Sequence, residues 1–254
     1  FYPADTSGED VAITESYDGK FPLLIFTHGY LSKIKSYKNI REMLVPYGYI
    51  IVFPDTETGI FADHLDLAKD IVFIAKEFPE LSNEAGSLFN GRIDTSLCLM
   101  GHSMGGGCSF LAAEMLNSVD GIITLAAYDT DPSSIEACAE ITAPSLLFGG
   151  SKDPVTRPEN HQIPMYDSLK SEHKTFINII GGSHCQMSDQ HKTCRLTELL
   201  LFSTPDISRE KQHEIMKKFM LNWLDYFMKG EEDAIKKFDT LLREERPISF
   251  ARDW

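Results

Sequence analysis

Short apolar runs recur along the chain, each stopped by a turn signal and separated from the next by polar or helix-patterned text. They cover 21–26, 49–53, 96–100, 121–127, 145–148 and 175–180. Each is nearly continuous in apolar residues rather than alternating with polar ones. Such a run predicts a strand buried on both faces, as in a parallel sheet covered by helices. Between the runs, Leu65, Ala68, Ile71, Val72, Ala75 and Phe78 recur every three or four residues. Ile215, Phe219, Trp223 and Phe227 do the same, with Gly230 as a stop. These stripes predict helices whose apolar faces belong to the core. Strands alternating with helices predict an α/β fold with a mostly parallel central sheet and helices on both faces. Ligands are then expected outside the carboxyl ends of the strands.

Composition narrows the picture. A chain of 254 residues, 43% hydrophobic, is long enough for one large α/β core. No linker, repeat or compositional break divides it, so a single domain over 1–254 is expected. No apolar run approaches the roughly 20 residues that cross a bilayer, so no transmembrane segment is expected. Lys and Arg number 24 against 38 Asp and Glu, a net charge of -14 without a basic stripe. That argues against nucleic acid as a partner. The opening Phe1-Tyr2-Pro3-Ala4 carries no signal-peptide pattern; the expectation is a secreted protein whose leader has been removed, or a sequence that starts late. Nothing resembles a phosphate loop or dinucleotide fingerprint, so no cofactor is expected. A monomer is the expected state.

The chemistry concentrates at Gly101-His102-Ser103-Met104-Gly105-Gly106. This G-x-S-x-G text follows one apolar run and precedes helix-compatible residues. Strand, sharp turn and helix form the context of a nucleophile elbow, with Ser103 at its tip. A glycine-rich turn with an incidental serine would read the same, so the partners decide. A serine hydroxyl needs a base, and the base an orienting acid. In an elbow of this kind the chain order is Ser, Asp or Glu, His. Asp153 follows the fifth run and His184 the sixth, which gives both the right type, order and placement. Asp129 and Asp131, after the fourth run, are alternative acids. His184 would take the Ser103 proton and return it to the leaving alcohol, while Asp153 holds the imidazole tautomer. The oxyanion would be met by the backbone N–H of Met104 and that of Tyr30 in His28-Gly29-Tyr30. His102 is expected to shape the turn and the cleft wall.

Five cysteines are present. Cys98 and Cys108 read as small core residues. Cys185 and Cys194 flank a polar loop and could form a disulfide, remain thiols, or join His184 and His191 around zinc. Metal is not the expected use, because His184 has a better one. Glu231-Glu232-Asp233 reads as a solvated helix face, with cation binding as the alternative.

With these residues in place, the chain resembles the bacterial cutinase and polyester hydrolase group of the α/β-hydrolases, which includes poly(ethylene terephthalate)-degrading enzymes. The resemblance rests on G-H-S-M-G-G-G at 101–107, T-H-G-Y at 27–30, and the text from Ala143-Pro144 through Asp153-Pro154-Val155 to Gly181-Gly182-Ser183-His184. The interval between Asp153 and His184 also matches. It implies an α/β-hydrolase fold and an aromatic after the fourth strand lining the cleft. That residue is usually tryptophan in the group and is Tyr128 here. Tyr30 would form the opposite wall, Met104 the floor and Val155 an aliphatic wall. The chain departs from the group in four ways, one of them Cys185 directly after His184, where the group often has Phe or Ser. Its N-terminus looks short against the further strands the group commonly carries there, so the absence of N-terminal strands is an expectation. Its charge is acidic. A longer segment at 185–209 carries Leu196, Leu199, Leu200, Leu201 and Phe202. That segment is expected to be a lid or cleft wall, or else a packed helix.

The function expected is a serine ester hydrolase acting on polyester or cutin-like substrates. The alternative is a carboxylesterase or lipase for short to medium acyl chains. A triad-bearing amidase and an inactive binding module on the same fold are the more distant readings.

Overall fold

The computed structural model describes residues 1–116, 118–189 and 192–254, leaving aside the side chains of Lys192, Thr193 and Arg195. The apolar runs form strands β1 (Phe21–Thr27), β2 (Ile50–Val52), β3 (Ile93–His102), β4 (Gly121–Leu125), β5 (Ser145–Gly150) and β6 (Lys174–Ile179). A seventh strand, β7 (Ile248–Asp253), adds to them. The sheet order is β2-β1-β3-β4-β5-β6-β7, with β7 antiparallel to β6 and the other neighbours parallel. This is an α/β-hydrolase fold.

Alternate residues of each strand face opposite layers. In β1, Leu23 and Ile25 join one buried cluster, while Leu24 and Phe26 join the other. The first cluster is closed by α2 (His64–Glu77), α3 (Met104–Leu116), α4 (Ser134–Cys138) and α5 (Gln162–Ser168). The second is closed by α1 (Lys38–Leu44), α7 (Arg209–Lys229) and α8 (Glu232–Glu244). A further helix, α6 (Lys192–Leu200), follows the loop after β6.

Both predicted helical stripes are core. Ala68, Ile71 and Ala75 are buried in α2, and Ile215, Phe219 and Trp223 in α7, which Gly230 ends with a φ of 70°. Ser208 caps α7 by accepting from Lys211 N–H, and Asp63 caps α2 by accepting from Asp66 N–H.

The strand order fixes where a ligand can sit. From β1 the chain goes to β2 on one side, and the next strand, β3, returns to the other side of β1. At such a switch the connecting segments diverge and leave a crevice beyond the strand ends. Thr27 pairs with Gly101, so His28-Gly29-Tyr30 and His102-Ser103-Met104 leave the sheet side by side.

Candidate active site

Ser103 holds a left-handed backbone with a φ of 56°, a conformation that costs a non-glycine residue about 1–3 kcal/mol. The turn is pinned on both sides: Ser103 N–H donates to Leu125 O at 2.9 Å, and its carbonyl accepts from Gly106, Gly107 and Tyr128 N–H. Its glycines are required by close approach. A Cβ on Gly101 would lie 2.2 Å from Gly105 O, and one on Gly105 would lie 2.3 Å from Thr27 O. Helix α3 therefore starts hard against the end of β1. The N–H groups of a helix's first turn have no partner within the helix. Those of Met104 and Tyr30 find no protein acceptor among the described residues.

The β5–β6 register, ending in Gly150 opposite Ile179, brings the two following loops together. Asp153 Oδ2 meets His184 Nδ1 at 2.8 Å, both side chains being buried. The other oxygen, Oδ1, accepts from Val155 and Thr156 N–H, each at 2.8 Å. Thr156 Oγ1 lies 2.8 Å from Asp153 Oδ2, 3.0 Å from His184 Nδ1 and 3.1 Å from Ala126 O. Sequence reasoning missed Thr156. Its only signal was its place three residues after an aspartate in a turn, where a hydroxyl and an N–H commonly bind the carboxylate.

His184 also reaches the elbow, its ring centroid lying 4.7 Å from that of His102. His102 is 3% exposed, packed between His184 and Tyr37 rather than forming an open wall. Burial, and then electrostatic repulsion from His184, hold its pKa well below the usual imidazole range, a backbone hydrogen bond with His184 opposing them. Asp129 is occupied elsewhere: its Oδ1 accepts from Ser133, Ser134 and Ile135 at the start of α4. Asp131 N–H donates to His64 Nδ1.

Tyr30 is 50% exposed and donates through its hydroxyl to Ile60 O, and Tyr128 is 40% exposed. Tyr128 N–H donates to Ser103 O at 3.0 Å, which sets this ring beside the elbow. It is flanked by the rings of His161 at 5.1 Å and His64 at 6.3 Å. Burial lowers the His161 pKa, against the pull of the Asp129 and Asp153 carboxylates. The Met104 side chain is buried and Val155 is half-buried.

Cys185 and Cys194 are joined in a disulfide, so neither is a thiolate available to zinc. His191 lies outside the described residues. No group of three metal-ligating side chains occurs among the described residues. Asp233 pairs on the surface with Lys236 within α8, in keeping with a solvated face.

The packed-helix expectation for the 185–209 leucines does not hold. Leu196, Leu199, Leu200 and Leu201 are exposed, and Phe202 is 98% exposed. Among the described side chains of α6 the buried one is instead Glu198, whose carboxylate accepts from Cys185 N–H at 2.8 Å. Arg209 adds bonds to the carbonyls of Cys185 and Ser188, and Ser203 Oγ donates to Lys152 O at 2.6 Å. The segment is thus fastened to the loops of both Asp153 and His184.

A family model described as PET hydrolase-like matches residues 1–242. The chain belongs to the PET hydrolase-like family. Among similar proteins, it is 26% identical to cutinase est2 of Thermobifida alba over 194 residues, 76% of this chain and 62% of the relative. It is 28% identical to cutinase 1 of Thermobifida cellulosilytica over 158 residues, 61% of this chain and 57% of the relative. It is 26% identical to a bis(hydroxyethyl) terephthalate hydrolase of Streptomyces coelicolor over 203 residues, 75% of this chain and 62% of the relative. The chain therefore spans less than two thirds of the length of these relatives. Among the described residues of this PET hydrolase-like chain, no helix is long and apolar enough to cross a membrane.

Proposed function

We propose that the chain is a serine ester hydrolase that cleaves carboxylic esters through an acyl-enzyme, with polyester and cutin-like substrates, aromatic polyesters included. The observation that carries this reading is the buried 2.8 Å pairing of His184 with Asp153 beside a left-handed Ser103. The cutinases and the terephthalate-ester hydrolase among its relatives support the substrate class.

In this reading Ser103 Oγ attacks the ester carbonyl while His184 Nε2 takes its proton. Asp153 accepts from Nδ1–H, fixes the tautomer that leaves Nε2 free, and stabilises the imidazolium. The tetrahedral oxyanion is met by the N–H groups of Tyr30 and Met104, donors in place before charge develops. Collapse expels the alcohol, which takes the proton from His184. Water then repeats the steps on the acyl-enzyme and releases the acid. Exposed Tyr30 and Tyr128 would hold an aromatic acyl group. The seven strands form one continuous sheet with a core on each face, which supports a single catalytic domain. The Cys185–Cys194 disulfide supports secretion into an oxidising compartment.

A lipase or medium-chain carboxylesterase is the second reading. The exposed leucines of α6 favour it, because an apolar face fastened beside His184 suits a fatty acyl chain.

The deciding experiment measures soluble aromatic acids released from amorphous poly(ethylene terephthalate) film, with Ser103→Ala as the blank and a butyrate ester in parallel. Release above the blank supports the polyester reading. Butyrate turnover without film release supports the second. Activity of folded Ser103→Ala on both substrates refutes the serine mechanism.

A further inference from the structure

Tyr37 is completely buried in the turn before α1, and the steps above make no use of it. Its hydroxyl accepts from Gly29 N–H at 2.8 Å and lies 2.9 Å from His102 Nδ1. A phenol that accepts an N–H still has its own proton to donate. Burial pushes the Tyr37 hydroxyl up to about 12, against the pull of hydrogen bonds from the Gly29 backbone and Ser32. It therefore keeps that proton at neutral pH. Burial disfavours the charged form of His102, and with Gly29 N–H already donating to the phenol oxygen, the Tyr37 proton is the one directed at His102 Nδ1.

This one hydroxyl joins two segments that carry different parts of the site. Gly29 precedes Tyr30, and His102 precedes Ser103 and Met104. The junction has little slack. A Cβ on Gly29 would lie 3.2 Å from His102 Nδ1, 3.2 Å from Ser103 Cβ and 3.3 Å from the Tyr37 hydroxyl. Phe26 packs on the Tyr37 ring with centroids 4.9 Å apart. The turn is also fastened to the loop after His184. Asp189 N–H donates to Ser36 O at 2.9 Å, Asn39 N–H donates to Asp189 Oδ2 at 2.8 Å, and Asn39 Nδ2 donates to Met187 O at 3.1 Å.

We propose that Tyr37 is a positioning residue for the oxyanion hole, its hydroxyl bridging Gly29 to His102 and thereby setting the separation of the Tyr30 and Met104 N–H donors. The proposal rests on the ester hydrolase reading. Both donors are needed most when the carbonyl oxygen carries charge, so an error in their separation penalises the transition state more than the bound substrate. A misplacement on the order of 1 Å costs about 100-fold in rate.

Tyr37→Phe keeps the ring and removes the bridge. Per Ser103 site titrated with a fluorophosphonate, kcat on a butyrate ester should fall about 10- to 100-fold with KM within about twofold. Affinity for phenylboronic acid, which forms a tetrahedral adduct on serine, should fall by the same factor as kcat/KM. His102→Leu breaks the bridge from its other end and should cause a comparable loss, and Tyr37→Phe with His102→Leu should lose no more than either alone. Wild-type kcat in Tyr37→Phe, an unchanged boronate affinity, or additive losses in the double variant would overturn the proposal. A wild-type protein without esterase activity would instead overturn the ester hydrolase reading, and this proposal with it.

Discussion

Thr156→Val tests how the carboxylate behind His184 is held. Valine matches threonine in shape, so no cavity opens at this fully buried position. What disappears is one hydroxyl with a single proton and two acceptors in range, Asp153 Oδ2 at 2.8 Å and Ala126 O at 3.1 Å. The nearer acceptor is also a carboxylate, so it takes the proton, and a hydrogen bond to a charged group contributes about 1.5–3 kcal/mol. A loss of about 2 kcal/mol should lower the Tm of a chain this size by about 4–8 °C. Activity should fall less than in Asp153→Ala, because Oδ1 keeps the backbone N–H groups of Val155 and Thr156, which the substitution leaves in place. A loss of about tenfold in kcat is expected, the equivalent of about 1.4 kcal/mol of transition-state stabilisation. Thermal unfolding and butyrate ester kinetics read both effects, with Thr156→Ser as the control that restores the hydroxyl. Wild-type Tm and kcat in Thr156→Val would refute the reasoning, as would equal losses in the serine and valine variants.

Three further outcomes are expected. His102 is buried with its pKa held well below 6.5, so the unfolded chain takes up a proton there that the folded chain refuses. Stability is then lost as pH falls below 6.5, by about 2 kcal/mol between pH 7 and pH 5 from this residue alone; urea midpoints at the two pH values should converge by that amount in His102→Leu. The Cys185–Cys194 disulfide closes a nine-residue separation, so replacing both cysteines by serine should cost up to about 3 kcal/mol; amide hydrogen exchange should quicken first in α6, and unchanged protection there would contradict the tethering role. Gly105→Ala would drive a methyl into the Thr27 and His28 carbonyls; circular dichroism should show a protein that fails to fold or unfolds far below wild type, and a wild-type melt would contradict the close approach of α3 to β1.

Much of the framework could be read along the chain, because burial on both faces leaves a local signature. The strands β1 to β6 are each built around a short, largely apolar run, and the stripes of α2 and α7 repeat at helical spacing. The residue types of the candidate site carried signals of the same local kind: a serine between glycines after a strand, and an aspartate and a histidine after later strands. Strand β7 left no such signature. It is an edge strand with most residues exposed, so nothing forces it to be apolar. The leucines of α6 misled in the opposite direction. An apolar stripe implies burial only when a partner covers it, and here the covered residue is Glu198, drawn inward by the Cys185 N–H.

The sequence by itself determined the α/β architecture, the strand-end placement of Ser103, Asp153 and His184, and the elbow glycines, since each depends on neighbours within a few residues. Only the tertiary structure decided which groups meet. Asp153 and His184 touch because β5 and β6 pair in one register, and Thr156 joins them because its turn folds back on the carboxylate. Tyr37 reaches Gly29 and His102 because β1 and β3 lie side by side although 65 residues separate Tyr37 from His102. Contacts of that range are set by packing and loop closure across the whole sheet, and no short stretch of sequence encodes them.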